Sequence, residues 1–321
     1  MLQLSDRLLK GDPRALSRAL SLLERGDVQV STLMQEVHHK TGKAYCIGVT
    51  GPPGAGKSTL IGRLTEAYRK KGLSVGIIAV DPTSPYSGGA LLGDRIRMEG
   101  HYLDPGVFIR SMATRGSHGG LPRIIKAAAR LLDASGKDVV LVETVGVGQT
   151  ELDIMSVADT VVVTLVPEAG DSIQALKAGL MEAADIFVVN KADRQGAEQM
   201  AAAVKGGIST ASTDTDWSPP VLLTHAHTGE GMDRLLGKLE EHRDFLISTS
   251  RLEERRRQRR TREFTEVLRE ELYKRIERQI EMSSKLKDLL GRVESGDLEP
   301  YSAARRCVED ASLLGGKATA A

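Results

Sequence analysis

The nine residues Gly51-Pro52-Pro53-Gly54-Ala55-Gly56-Lys57-Ser58-Thr59 leave this chain few folds to choose from. They fit the phosphate-binding loop pattern G-x-x-x-x-G-K-[ST], with Gly51, Gly56, Lys57 and Ser58 at the diagnostic places. That pattern carries meaning only between a strand and a helix, and both flanks comply. Residues 44–50 are a short apolar run of the kind a buried strand shows, and Leu60, Leu64 and Ala67 then recur at helical spacing. Such a turn aims successive backbone N–H groups at an anion, and the helix N-terminus adds its partial positive charge. Gly54, Ala55, Gly56 and Thr59 are then phosphate contacts, Lys57 reaches the β- and γ-phosphates, and the Ser58 hydroxyl is a ligand for Mg²⁺. The alternative is a glycine-rich turn that binds nothing, and the flanking strand and helix speak against it. The chain is expected to bind a nucleotide.

The rest of the chain supplies the fold that such a loop needs. Apolar runs are predicted as strands at 44–50, 75–80, 107–109, 139–142, 160–166, 186–189 and 221–223. Several are continuous Val and Ile, as strands covered on both faces are. Helical patterns such as 121–132 and 173–183 lie between most of them. This alternation predicts an α/β P-loop NTPase fold with a doubly wound, mostly parallel sheet, whose ligands collect at the carboxyl ends of the strands. Two helical additions flank it, giving expected divisions of 1–42 (an N-terminal helical extension), 43–248 (a G domain) and 249–321 (a C-terminal arm).

In the first of these, Asp12-Pro13 reads as a helix start, Leu16, Leu20 and Leu23 share one face, and Gly26 ends the segment. A third helix is expected from Val28 to His38. His38 and His39 are read as solvent-exposed, because adjacent helical residues point in different directions. Residues 206–219, rich in Gly, Ser, Thr, Asp and Pro, read as a surface loop. Between residues 251 and 278 lie ten Arg, one Lys and seven Glu, a net of +4. Phe264, Leu268, Leu272, Ile276 and Ile280 make a stripe through this tract, and Leu286, Leu289, Leu290 and Val293 continue it. Interleaved Glu and scarce aromatics favour a salt-bridged helical arm for self-association over a nucleic-acid surface. The balance of 44 Lys+Arg against 43 Asp+Glu over the chain points the same way. Cys46 and Cys307 suggest neither a disulfide framework nor a C-x-x-C metal site. With no signal-peptide pattern and no apolar run of membrane length, the expected location is the cytoplasm.

A second constellation selects the base. Asn190-Lys191-Ala192-Asp193 follows the run 186–189 and fits N-K-x-D. A carboxylate at Asp193 accepts from both N1–H and the 2-amino group of guanine, whereas adenine offers neither donor at those places. Sites built on such bonds discriminate by about 10⁴-fold. Asn190 fixes the loop and contacts the base, and the Lys191 stem covers its face. The expected nucleotide is therefore GTP. The run 139–142 ends in Glu143-Thr144-Val145-Gly146, a D-x-x-G pattern with Glu in place of Asp. Glu143 would hold Mg²⁺ directly or through water, and the Gly146 N–H would meet the γ-phosphate, which makes 144–157 a nucleotide-sensing switch. Many GTPases carry a water-orienting Gln directly after that glycine. Here the residue is Val147, with Gln149 nearby, so slow intrinsic hydrolysis completed by a partner is expected. Asp81, in Asp81-Pro82-Thr83-Ser84-Pro85, and Asp94 are further candidate metal ligands, against the plainer readings of a strand-end turn and a solvated helix residue.

Together GPPGAGKST at 51–59, DPTSP at 81–85, GDRIRM at 93–98, ETVGVGQTE at 143–151 and NKAD at 190–193 resemble the MeaB/ArgK, or methylmalonic aciduria type A, family of SIMIBI-class P-loop GTPases. The resemblance spans essentially the whole chain. It implies a homodimeric GTPase that acts as a chaperone of an adenosylcobalamin-dependent acyl-CoA mutase, usually methylmalonyl-CoA mutase. Such a chaperone gates cofactor loading and protects or reactivates the mutase. By the same resemblance Ser58, Asp81, Asp94 and Glu143 take Mg²⁺ and switch roles. A third switch maps onto 167–185, where Lys177 becomes a candidate for coupling mutase contact to hydrolysis. One departure stands out. The guanine loop expected as T-S-A is Thr224-His225-Ala226, in which Ala226 still offers a backbone N–H to guanine O6. Two other readings compete: a nickel or zinc metallochaperone GTPase, for which no His-rich or Cys-rich segment is present, and a transport ATPase or kinase, which Asp193 argues against.

Overall fold

The structure, a computed structural model, describes residues 2–82, 99–114, 120–144, 153–167, 181–210 and 216–309. Among these, seven strands form one parallel sheet: β1 (Tyr45–Thr50), β2 (Val75–Pro82), β3 (Val107–Thr114), β4 (Val139–Glu143), β5 (Thr160–Leu165), β6 (Ile186–Val189) and β7 (Val221–Leu223). Their order is β3-β2-β4-β1-β5-β6-β7. The chain leaves β1 toward β2 on one side, and it leaves the adjacent β4 toward β5 on the other. A crevice therefore opens at the carboxyl ends of β1 and β4, the place where doubly wound sheets bind ligands. The phosphate loop follows β1, and Glu143 ends β4.

Alternation along the strands explains the two layers that cover the sheet. Tyr45, Ile47 and Val49 of β1 face a cluster shared with Leu60, Ile61 and Leu64 of α4 (Lys57–Lys70). Further along the chain, the helix Met232–Ser248 adds Leu235 and Leu239 to the same cluster. The opposite face carries Val140, Val142, Val161, Val163 and Phe187. It receives the helices α1 (Leu2–Leu9), α2 (Pro13–Arg25) and α3 (Gln29–Val37) through Leu8, Leu16, Leu20, Leu33 and Val37. The first helices thus share the core of the sheet. Asp12 caps α2 by accepting from the N–H groups of Arg14 and Ala15, and Gly26 ends it in the left-handed region. His38 and His39 are exposed.

The expected loop at 206–219 is partly corrected. Helix α6 (Ala197–Thr210), which follows α5 (Gly120–Ala134), takes in residues 206–210. Met200, Val204 and Ile208 at four-residue spacing pack on the core and carry the helix past its two glycines. At Gly207 a Cβ would sit 2.9 Å from Met181 Cε, so the small residue admits a neighbour and does not mark a break. Trp217 also faces inward: its Nε1–H donates to the Asp185 carbonyl at 2.9 Å, and its ring lies 4.6 Å from that of His242.

The strands' amino ends are fixed by a buried polar cluster. Asp159 and Asp185 stand directly before β5 and β6. The Arg256 fork binds both Asp159 oxygens, and its Nη groups also donate to the carbonyls of Gly42 and Ala44 at the entry of β1. Arg255 pairs with Asp185 at 3.1 Å, and His242, wholly buried in α7 (Met232–Ser248), lies 3.3 Å from the same carboxylate. Both arginines open α8 (Arg251–Met282), which α9 (Ser284–Glu294) and α10 (Pro300–Glu309) follow. The chain divides into two compact units, Met1–Arg256 and Arg257–Ala321, the boundary falling within α8.

Candidate active site

The phosphate loop owes its shape to three glycines with positive φ: Gly51 at 134°, Gly54 at 75° and Gly56 at 83°. Gly51 is the most constrained, because a Cβ there would meet the Thr164 carbonyl oxygen of β5 at 2.0 Å. Helix α4 begins at Lys57 with Gly56 as its cap, a residue that supplies no side-chain acceptor to the first-turn N–H groups. Those donors, the helix dipole and the buried Lys57 ammonium make a site for a polyphosphate. Lys57 Nζ donates to the carbonyls of Gly51 at 2.8 Å and Pro52 at 3.1 Å, which centres the cation within the loop. Gly51→Ala is expected to weaken nucleotide affinity by at least about tenfold, since the strained φ alone costs of order 1–3 kcal/mol before the backbone clash. Titration with a fluorescent guanine nucleotide, with a melting curve to confirm folding, measures it.

The candidate metal corner lies where β4 ends. Parallel pairing sets Val49 opposite Glu143, so the carboxylate arrives beside the start of α4. Ser58 Oγ donates to Glu143 Oε1 at 2.7 Å, and both residues are buried. Two hard oxygen donors converging beside a phosphate loop suit Mg²⁺, which takes few protein ligands and completes its shell with water and phosphate. Behind them Thr144 Oγ1 donates to Thr50 Oγ1 at 2.8 Å, tying the two strand ends together. Asp81 lies near the end of β2 opposite Ala113 of β3. Asp94, Gly146, Val147, Gln149 and Lys177 lie outside the described residues.

The base end is built around Asn190. Its Nδ2 donates to the Ala55 carbonyl of the phosphate loop at 2.8 Å. Its Oδ1 accepts from Thr224 Oγ1 at 3.2 Å and from the Ala226 N–H at 3.1 Å. One buried side chain thereby joins the phosphate loop to the loop after β7. The Ala226 N–H assigned to guanine already has a partner, so a base oxygen would share it as a three-centre bond. Lys191 adopts φ 56°, a left-handed conformation that few non-glycine residues take, and it turns the chain so that Asp193 follows on the surface. Asp193 is half exposed, and His225 Nε2 lies 3.5 Å from its Oδ1.

Three contributors escaped the sequence reading. Thr164 forces glycine at position 51, and Gly48 lets Ile154 press on β1, because a Cβ there would lie 2.3 Å from Ile154 Cγ1. The third is the Asp159–Arg256 and Asp185–Arg255 cluster. Its one sequence trace is the dipeptide Ala-Asp standing directly before β5 and again before β6.

Residues 16–281 match the family model described as methylmalonyl-CoA mutase-associated GTPase MeaB. A Pyrococcus abyssi protein named as a candidate GTPase is 47% identical over 317 residues, 98% of this chain and 97% of that one. The Escherichia coli GTPase ArgK is 34% identical over 260 residues, 78% of each chain. The mouse mitochondrial methylmalonic aciduria type A homolog is 32% identical over 267 residues, 78% of this chain and 64% of that one. Among solved structures, a LAO/AO transport system kinase superposes with a TM-score of 0.70 at 26% identity, covering 96% of both chains.

Proposed function

This chain belongs to the MeaB family of mutase-associated P-loop GTPases, and from that premise we propose that it is a GTP-driven chaperone of an adenosylcobalamin-dependent acyl-CoA mutase, with methylmalonyl-CoA mutase as the first client to test. The observation that carries the proposal is the family match over residues 16–281, whose described name joins GTPase and mutase. The geometry supplies the GTPase half. Lys57 and the first-turn N–H groups of α4 would hold the phosphates, and Asp193, with Asn190 fixing its loop and the Lys191 stem over the base, would read guanine. Ser58 and Glu143 would hold Mg²⁺, which when bound neutralises charge on the β- and γ-phosphate oxygens. Asp81 and Asp94 are assigned as the remaining acidic groups of that corner. Gly146 and Lys177 are assigned to sensing the γ-phosphate and to coupling with the mutase.

Hydrolysis by the protein alone is proposed to be slow, since Val147 holds the place of the water-orienting Gln. Self-association is proposed through the helices that follow the first unit, where Phe264, Leu268, Leu272 and Tyr273 of α8 are exposed at 68%, 46%, 50% and 62%. Among the described residues no helix is long and apolar enough to cross a membrane, which supports the proposal of a cytoplasmic protein. The deciding measurement is GTP turnover with and without purified methylmalonyl-, isobutyryl- and ethylmalonyl-CoA mutases. One of them is expected to form a complex and raise the rate by roughly tenfold or more, as partners that complete a GTPase site do. No stimulation and no complex with any of the three would sink the chaperone reading and leave the GTPase standing.

A further inference from the structure

We propose that His225 is the positioning residue of the guanine-reading carboxylate, its imidazole holding Asp193 in the orientation that receives both N1–H and the 2-amino group; the inference rests on the guanine reading above. The two side chains meet across separate loops, Asp193 after β6 and His225 after β7, with Nε2 3.5 Å from Oδ1. Asp193 has freedom to lose, because 52% of its side chain is exposed, while 23% of that of His225 is.

The backbone of His225 is anchored on both sides. Its N–H donates to the Glu230 carbonyl at 3.0 Å, and its own carbonyl accepts from the Gly229 N–H at 2.9 Å and from Thr228 Oγ1 at 3.1 Å. The N–H of the next residue, Ala226, is fixed on Asn190 Oδ1. Gly231 closes this turn at φ 76°, where a Cβ would strike the Leu223 carbonyl oxygen at 2.3 Å. The imidazole therefore projects from a stiff turn toward a carboxylate whose flanking backbone is held, by Ala192 N–H on the Thr224 carbonyl and Arg194 N–H on the Lys191 carbonyl, but whose side chain is half exposed. A carboxylate has about four lone-pair directions, so an imidazole nitrogen 3.5 Å from one oxygen leaves room for both guanine donors.

A half-exposed contact of this kind adds little to affinity. Its effect should appear in discrimination. The 2-amino group of guanine is satisfied only when both Asp193 oxygens lie in the plane of the base. Hypoxanthine lacks that group and needs one oxygen in reach, so orientation matters less for an inosine nucleotide.

The test is competition binding of GDP and IDP to the full-length protein and its His225→Ala and His225→Gln variants, with melting curves to verify folding. His225→Ala is expected to weaken GDP by about threefold to fivefold, the range an exposed ion pair supports, and to change IDP less than about twofold. The ratio of the two affinities contracts accordingly. His225→Gln, which keeps a donor of similar reach, is expected to restore most of it. Equal loss for both nucleotides, no change for either, or no recovery with Gln overturns the positioning role. Asp193→Asn separates the two levels. If that variant leaves the GDP-to-IDP ratio unchanged, the guanine reading itself fails; if it collapses the ratio while His225→Ala does not, only the role of His225 fails.

Discussion

Asp193→Asn is expected to exchange guanine for xanthine as the base this protein selects. The carboxylate offers two acceptors to two guanine donors. An amide in its place presents one acceptor and one donor, so its NH₂ confronts the 2-amino group of guanine and both are left unpaired. Xanthine keeps N1–H but carries an oxygen at C2, which pairs with that amide in full. Sites that read a substrate by buried hydrogen bonds lose about 10⁴-fold when such a bond is left unpaired. A smaller change, of about 10²-fold or more, is expected here because Asp193 is half exposed and water can serve the unpaired groups. The framework should survive the change: Asn190, buried and bonded to Ala55, Thr224 and Ala226, holds both loops without help from Asp193. Turnover of GTP and XTP by the two proteins measures the exchange. A variant that still prefers GTP by the parental margin would remove Asp193 from base selection, and with it the physical ground for GTP over ATP.

What was legible in the sequence was local. Gly51, Lys57 and Ser58 declare themselves because the loop's chemistry lies within nine consecutive residues and the strand and helix flank it directly. Glu143 could be placed because Glu143-Thr144-Val145-Gly146 at the end of an apolar run resembles D-x-x-G; that its strand lies beside β1 is what the structure adds. The helix over residues 206–210 was missed because paired glycines ordinarily signal a break; the packing of Met181 explains Gly207, while a Cβ at Gly206 would meet open space. Arg256 was unreadable for a different reason. It stands among Arg255, Arg257, Arg259 and Arg260 with nothing local to set it apart, and read as part of a solvated, salt-bridged helix. The contact of its guanidinium with Asp159, 97 residues earlier, makes it a different residue physically.

That difference has a large expected consequence. Arg256→Ala should be the most destabilising single charge removal at the amino ends of the strands. The Asp159 side chain is 2% exposed and that of Arg256 16%, with Nε to Oδ1 at 3.1 Å and Nη2 to Oδ2 at 2.5 Å. Truncating the arginine takes a forked guanidinium from a buried carboxylate and removes donors from the Gly42 and Ala44 carbonyls, while the Cys46 N–H, 3.1 Å from Asp159 Oδ2, stays in place. Breaking a buried pair from one side costs about 3–5 kcal/mol, which lowers Tm by roughly 10 °C for a unit of this size. Arg256→Lys should recover only part, because an ammonium cannot fork to both oxygens. Arg255→Ala is the internal control. Its side chain is 42% exposed, and Asp185 retains His242 and the Val161 N–H, so a loss of about 1 kcal/mol is expected. The Asp185 pair also fixes a pH dependence. Burial pushes its carboxyl up, but His242, Arg255 and the Val161 N–H outweigh that and hold it below the ordinary aspartate value. A lowered folded-state value means stability that is fully present above about pH 4 and lost as the pH falls through it. Arg255→Ala should therefore begin its acid unfolding at higher pH than the parent. Melting curves from pH 3 to 7 on the three variants decide all of this together. Arg256→Ala melting within 2 °C of the parent at pH 7 would show that the cluster does not hold the sheet's lower edge.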